Sequence, residues 1–191
     1  SYAFQSCSNL ESIIIPDSVT SICSYAFSWC NSLESIIIPN GIKTIESSTF
    51  TQCYNLSSVT IPDSVTSIGS YAFQSCSNLT EIVLPNGVTT IDSGAFWNCT
   101  NLVSINIPNS VTYIGSNAFY NCKISEVTLP DTISTIGYQA YLSCYNLTTI
   151  NIPASVTSIE SAAFQGCTNL TTFNVDPNNQ YYSSSDDKRI L

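Results

Sequence analysis

Cysteine is the residue type in this chain best equipped for chemistry. The 191-residue sequence holds nine, and eight recur at near-constant spacing: Cys7, Cys30, Cys53, Cys76, Cys99, Cys122, Cys144 and Cys167. Thiols ligate metals, pair as disulfides or act as nucleophiles, but one thiol per period suits none of these well. Stacked rungs of a sheet place Cα atoms about 4.8 Å apart, within disulfide reach. The parallel Cβ directions of a column nevertheless fit poorly to the roughly perpendicular disulfide torsion. The spacing predicts a column of reduced, buried thiols, each acting as a small hydrophobe. Cys23 stands outside the column. It shares a repeat position with Glu46, Gly69, Asp92, Gly115, Gly137 and Glu160, a mixture that reads as solvent-tolerant. Cys23 is therefore predicted to be the accessible, modifiable thiol.

Other chemistry is sparse. The chain has no histidine, which removes Ser-His-Asp triads, Cys-His dyads and His-ligated zinc together. Glu11 and Glu34 occupy one repeat position in successive periods, which in a stacked sheet sets two carboxylates about 5 Å apart. A Ca²⁺ between them would need further oxygen ligands, and a retaining-glycosidase pair would need a cleft and one raised pKa. Neither is evident, so the chain is read as non-catalytic, without metal or cofactor. The net charge of −9, with four Lys and Arg in all, argues against a nucleic-acid footprint and against electrostatic binding to acidic membranes. No apolar run reaches the 18 or so residues of a membrane span. Charged residues make up only 9%, so the surface is predicted to be neutral and rich in hydroxyls and amides. The chain lacks Met and starts within a repeat, which reads as a fragment of a larger protein.

The elements that must position these residues follow from a 23-residue period. Residues 1–10 and 70–79 are both SYAFQSCSNL, and ESIIIP occurs at 11–16 and 34–39. Alignment on the cysteines yields LxxIxIPxxVxxIxSxAFxxCxN, with rungs opened by Leu10, Leu33, Leu56, Leu79, Leu102, Ile124, Leu147 and Leu170. A period in the twenties points to a solenoid in which each rung contacts only its neighbours. The β-branched residues at +3 and +5 after Leu predict a short strand in each rung, about Ser12 to Ile15 in the first. The following Pro ends it. The next segment turns inward a second pair, such as Val65 and Ile68, on another extended piece. Ser before Ala-Phe reads as an N-cap for one helical turn, which would bring Phe and Cys inward at i and i+3.

Residues 1–175 are thus expected to form about eight rungs, and residues 176–191 a C-terminal cap or the start of an irregular segment. Between Cys122 and Cys144 the spacing falls to 22, and Tyr138 and Tyr141 replace the Ser and Phe. A local kink is expected there. Residues 1–9 offer no polar cap, so the apolar end at Ala3 and Phe4 is expected to promote end-to-end association.

The rung pattern closely resembles the BspA-like class of leucine-rich repeats, named for a bacterial surface antigen and abundant in anaerobic mucosal protists. The likeness covers residues 1–175, and the segment VDPNNQYYSSSDDKRIL also looks like one that this family inserts between repeat blocks. It implies a leucine-rich repeat solenoid, a curved right-handed β/α superhelix with short parallel strands as a concave sheet. It further implies a cell-surface or secreted setting and adhesion to host, matrix or other microbial proteins. The family brings no catalytic residues.

Outward strand positions form the candidate binding columns. The central one is Ile14, Ile37, Thr60, Val83, Asn106, Thr128, Asn151 and Asn174. The column before it holds Ser12, Ser35, Ser58, Glu81, Ser104, Glu126, Thr149 and Thr172. A protein ligand on this concave face would use the Ile pair as anchor and the Ser/Thr/Asn field as rim. The bland counterpart is that β-branched residues are good strand formers that happen to be exposed. The alternatives are a structural spacer, or carbohydrate binding through Tyr25, Trp29, Tyr71 and Trp97. Ser and Thr rows around Thr66, Thr89 and Thr112 also bring ice-binding surfaces to mind, although Lys43 and Tyr113 interrupt them. Sequons occur at Asn55, Asn78, Asn98, Asn146 and Asn169, four of them created by the repeat's own turn.

Overall fold

The computed structural model describes residues 1–184. Thirteen short strands lie along it. In chain order they are β1 (Ser35–Ile37), β2 (Thr44–Ile45), β3 (Ser58–Thr60), β4 (Ser67–Ile68), β5 (Glu81–Val83), β6 (Thr90–Ile91), β7 (Ser104–Asn106), β8 (Tyr113–Ile114), β9 (Glu126–Thr128), β10 (Thr135–Ile136), β11 (Thr149–Ile152), β12 (Ser158–Ile159) and β13 (Thr172–Val175). All pairings are parallel and join rung to rung in register, as in Ser35 with Ser58 and Ile68 with Ile91. The even-numbered strands make one continuous sheet, β2-β4-β6-β8-β10-β12. The odd-numbered strands lie on another side, in three pieces: β1-β3, β5-β7 and β9-β11-β13.

The core is the column the periodicity anticipates. Most Leu, Ile and Val positions, the aromatic column from Phe27 through Tyr141, and seven cysteines are buried in one continuous cluster, with Leu10, Ile13, Val59 and Leu170 among those partly buried against it. Phe rings stack from rung to rung with centroids 5.1–5.6 Å apart from Phe4 through Phe164, Tyr141 standing in for Phe. Offset stacking of this kind adds about 0.5–1.5 kcal/mol per pair beyond burial. Val65 and Ile68 are both fully buried on the second extended piece.

Four expectations are corrected. The first rung carries no strand at Ser12–Ile15. β1 pairs only with β3, and the segment ahead is tied to it by a single bond, Glu34 N–H to the Glu11 carbonyl at 3.1 Å. Second, the Ser-Ala-Phe segment is not helical. Even-numbered residues of the Leu10 rung close local turns, Ala26 N–H to Cys23 O (3.1 Å) and Ser28 N–H to Tyr25 O (3.2 Å). Odd-numbered ones bond sideways to the next rung, Phe27 N–H to Thr49 O (2.9 Å) and Trp29 N–H to Thr51 O (2.8 Å). Tyr25 and Trp29 take left-handed φ of 61° and 66°, which breaks any helix. The Ser contributes its carbonyl across rungs, as Ser47 does to Tyr25 N–H. A carbonyl serves with any side chain, and Tyr138 accepts from Asn117 N–H in the same way (2.8 Å). Third, Cys7 is exposed, because its rung is covered on one side alone. Fourth, the column of Cys23 is not uniformly solvent-tolerant: Gly69, Gly115 and Gly137 are buried. A Cβ on Gly115 would lie 2.5 Å from Ser93 N.

The shortened period between Cys122 and Cys144 is absorbed on one side. The turn column continues its sideways bonds there, and β8 pairs β10 in register, whereas β7 and β9 form no ladder. The β3–β5 step, at full 23-residue spacing, is interrupted as well, so the shortened period is not the general cause of such breaks. After β13 the chain stays stacked on the preceding rung at the repeat offset of 23. The buried Asn179 donates to the carbonyls of Pro153 (2.9 Å) and Val156 (3.0 Å) and accepts from the N–H groups of Tyr181 and Tyr182 (2.8 Å each). The expectation for residues 185–191 lies outside the described residues.

Candidate functional site

Strand alternation decides what the odd-numbered sheets present. In β1, Ile36 is 3% exposed and Ile37 is 70% exposed, because successive side chains point to opposite faces. Register then groups the predicted binding residues. Ile37 lies beside Thr60, Val83 beside Asn106, and Asn151 between Thr128 and Asn174. Ser35 pairs Ser58, Glu81 pairs Ser104, and Glu126 pairs Thr149. Ser12, Ser35, Glu81 and Glu126 are exposed. Ile14, on the non-strand segment, is 93% exposed, and Val83 69%.

Three of the Asn side chains have partners inside the face. Asn106 accepts from Leu84 N–H through Oδ1 (2.7 Å) and donates through Nδ2 to Leu84 O (2.9 Å). Its amide thus replaces the backbone bond that Ile38 N–H makes to Thr60 O (3.0 Å) two rungs earlier. Asn174 donates to Asn151 Oδ1 at 2.8 Å. One lone pair and one N–H of the Asn106 amide are therefore engaged before any ligand arrives, and one of each is left to face it.

Two clefts open on this side that sequence reasoning missed. One, of about 800 Å³, spans the β7–β9 step and is lined by Val103, Ser104, Asn106, Ser125, Glu126 and Asp131 among others. The next, of about 260 Å³, includes Asp131, Asn151, Asn174 and Asp176. No Lys or Arg lines either. The face is thus apolar toward Ile14 and Ile37 and acidic and amide-rich from β7 onward. Asp131 follows Pro130, the usual turn slot of the repeat, so its residue type carried no signal of a cleft. The one hint was the shortened period. Glu11 and Glu34 are both exposed, and among the described residues no group of three or more His, Cys, Asp or Glu side chains is placed to hold a metal ion.

Cys23 sits apart from this face. It is exposed and lines a cleft of about 350 Å³ with Lys43, Thr44 and Glu46. The column thiols do more than fill space. Each buried one donates to the carbonyl of the aromatic residue one rung back: Cys53 to Phe27 (3.1 Å), Cys76 to Phe50 (3.2 Å), Cys99 to Phe73 (3.0 Å). Burial pushes Cys30 and Cys167 up to about 11 and Cys53 and Cys99 up to about 12, from the usual 9.0. Thiols so held are protonated and poor nucleophiles.

The aromatics singled out for carbohydrate binding divide. Tyr25 and Trp29 are exposed. Tyr71, Trp97 and Tyr120 form a run with centroids 5.9 and 5.1 Å apart, tilted by 39° and 48°, so they present no single flat platform. On the even-numbered sheet, Thr66, Thr89 and Thr157 each donate a hydroxyl to the previous rung's carbonyl, at 3.2–3.3 Å. Those hydroxyls cover backbone.

Comparison with known proteins places this architecture. No protein of curated function matches the chain. Among solved structures it is similar to a leucine-rich repeat protein of T. pallidum, at 29% identity over 78% of this chain and 70% of that one, with a TM-score of 0.72. It is similar to one from Eubacterium ventriosum at 30% identity over 69% of this chain and 35% of that one, TM-score 0.62. A Bacteroides ovatus leucine-rich repeat protein, 23% identical over 93% of this chain and 70% of its own, shares the fold with a TM-score of 0.63. The profile for the BspA type leucine rich repeat region matches in six copies over residues 1–123 and 94–185. With its rungs stacked in register as a leucine-rich repeat solenoid, the chain belongs to the BspA-type leucine-rich repeat family.

Proposed function

We propose that this chain is a non-catalytic protein-binding module that acts in adhesion at a cell surface. The ligand docks across the odd-numbered sheet face, with Ile14 and Ile37 as the apolar anchor and the Ser, Thr and Asn columns as a hydrogen-bonding rim. The observation that carries the reading is exposure: Ile14 at 93%, Ile37 at 70% and Val83 at 69% lie on one side of a protein whose other Ile residues are largely core. Exposed apolar side chains ringed by polar ones are the anatomy of a protein interface. Leucine-rich repeat membership supports protein binding as the general role, and no helix among the described residues is long and apolar enough to cross a membrane. Residues 1–175 act as the binding array and the described residues after it, 176–184, as a C-terminal cap, a reading supported by the Asn179 bonds.

The test uses the double variant Ile14→Lys and Ile37→Lys. Both sites are exposed, so the thermal midpoint should not move. Retention of the protein on epithelial cells and on a panel of immobilised matrix proteins should fall at least tenfold. Unchanged retention would remove the sheet-face site. No retention of either form on any of these surfaces would favour a structural spacer.

A further inference from the structure

The five sequons are not equivalent, and the fold separates them. Asn55, Asn78, Asn146 and Asn169 occupy the turn just ahead of the odd-numbered strands, and all four are exposed. The hydroxyl residues two positions on, Ser57, Thr80, Thr148 and Thr171, are exposed too. Asn98 differs. It is half-buried, has a left-handed φ of 57°, and its Oδ1 accepts from Asn121 Nδ2 of the next rung at 3.0 Å. A bulky group on its amide would have to fit a half-buried site that Asn121 already occupies.

We propose that Asn55, Asn78, Asn146 and Asn169 are acceptor sites for N-linked glycans in a secretory compartment that holds an oligosaccharyltransferase, and that Asn98 is not. In that transfer the Asn Nδ2 forms a bond to C1 of the sugar and releases one proton. The bond from C1 to the phosphate of a lipid-diphosphate-linked oligosaccharide breaks, and the lipid diphosphate leaves.

The distribution has a consequence for the binding face. The rung opened by Leu102 loses its sequon because Val103 stands where a hydroxyl would be, and the next rung has Lys123 in place of the Asn. Val103 is 41% exposed and lines the 800 Å³ cleft. The two rungs that border this cleft are the two that lack an acceptor between glycan-bearing neighbours. The rungs of Ile14 and Ile37 lack one as well, since Glu11 takes the hydroxyl position in the first, and Ser32 and Glu34 take the Asn and hydroxyl positions in the second. Glycans are bulky and solubilising, so they would screen the edge of the sheet at Asn55, Asn78, Asn146 and Asn169 and leave two bare windows. The windows rest on the binding reading above, whereas the acceptor sites do not.

The chain secreted from a eukaryotic cell is the material for the test. Glycosidase treatment in H₂¹⁸O converts each glycosylated Asn to labelled Asp, and peptide mass spectrometry then counts sites. Label is expected at Asn55, Asn78, Asn146 and Asn169, with none at Asn98. Thr171→Ala should remove one glycan from the intact mass, while Thr100→Ala, which destroys the Asn98 sequon, should remove none. A bare site among the four, label at Asn98, or a glycan lost in Thr100→Ala would each overturn the assignment. None of these results depends on whether the Ile14→Lys and Ile37→Lys protein still binds.

Discussion

Each interior cysteine is both a filler and a donor. The Phe27 carbonyl illustrates why the position suits sulfur: it accepts from Cys30 N–H at 3.1 Å and from Cys53 Sγ at 3.1 Å. An alkyl group at this position would leave the second lone pair empty. Two predictions belong at this scale. A thiol reagent under native, reducing-agent-free conditions should modify Cys7 and Cys23 alone, with the seven buried thiols reacting only in denaturant; native disulfides would refute this. The second concerns pH. Burial is the leading cause of the raised thiol pKa values, with a neighbouring thiol adding to it at Cys30 and Cys53 and a backbone hydrogen bond opposing. Unfolded thiols ionise near 9.0, folded ones near 11 and 12. Above pH 9 the unfolded chain therefore binds fewer protons than the folded one, and stability falls as pH rises. The contribution is complete below about pH 9 and is lost through about pH 11 to 12. Urea midpoints measured with reductant at about pH 8 and about pH 10.5 should show the decline, and equal midpoints would contradict it.

At the scale of the element, the turn column is held by competition for hydrogen bonds. Half of its N–H groups bond within the rung and half to the next rung, and two residues four positions apart in each repeat take left-handed φ, as Tyr25 and Trp29 do. Among the described residues fourteen non-glycine positions and two glycines have positive φ, two in each repeat. None of the sixteen is Val, Ile or Thr, the residues for which that conformation is most costly. Close approach matters equally. Gly115→Ala puts a Cβ 2.5 Å from Ser93 N, while the Cβ of Gly87→Ala comes no nearer than 3.4 Å to Val65 O. The first should lose about 1–3 kcal/mol and the second should be close to neutral. A chemical denaturation series on the pair decides it, with equal midpoints as the adverse result.

Across the whole molecule, stability comes from stacking, and so the ends matter more than in a globular domain. Asn179 ties the Pro153 and Val156 carbonyls to the segment after β13. Tyr182 adds a second tie, its hydroxyl accepting from Ile159 N–H at 2.8 Å. Asn179→Ala leaves two carbonyls and two N–H groups without these partners and should cost about 1–3 kcal/mol. Hydrogen exchange should rise first in the rung around Ile152 and Val156. Uniform exchange along the array would show that the tail does not cap it.

Much of this was legible in the sequence, because a repeat states each position eight times. The buried Leu, Ile, Phe and Cys columns, the paired strands and the exposed Ile37 and Val83 all follow from period and alternation alone. That information is local: a side chain's direction depends on its own few neighbours along the chain. Hydrogen-bond partners depend on the adjacent rung, and only the tertiary structure decided them. Ser-x-Ala-Phe-x-x-Cys satisfies a helical turn and a run of alternating turns equally well until a neighbouring rung offers carbonyls such as Thr49 O. The binding face was partly legible for the same reason. Its strand columns were, but the engagement of Asn106 with Leu84 was not. Nor was the arrival of Val103, Asp131 and Asp176 at its edge, since these sit in turns whose placement depends on how successive rungs stack.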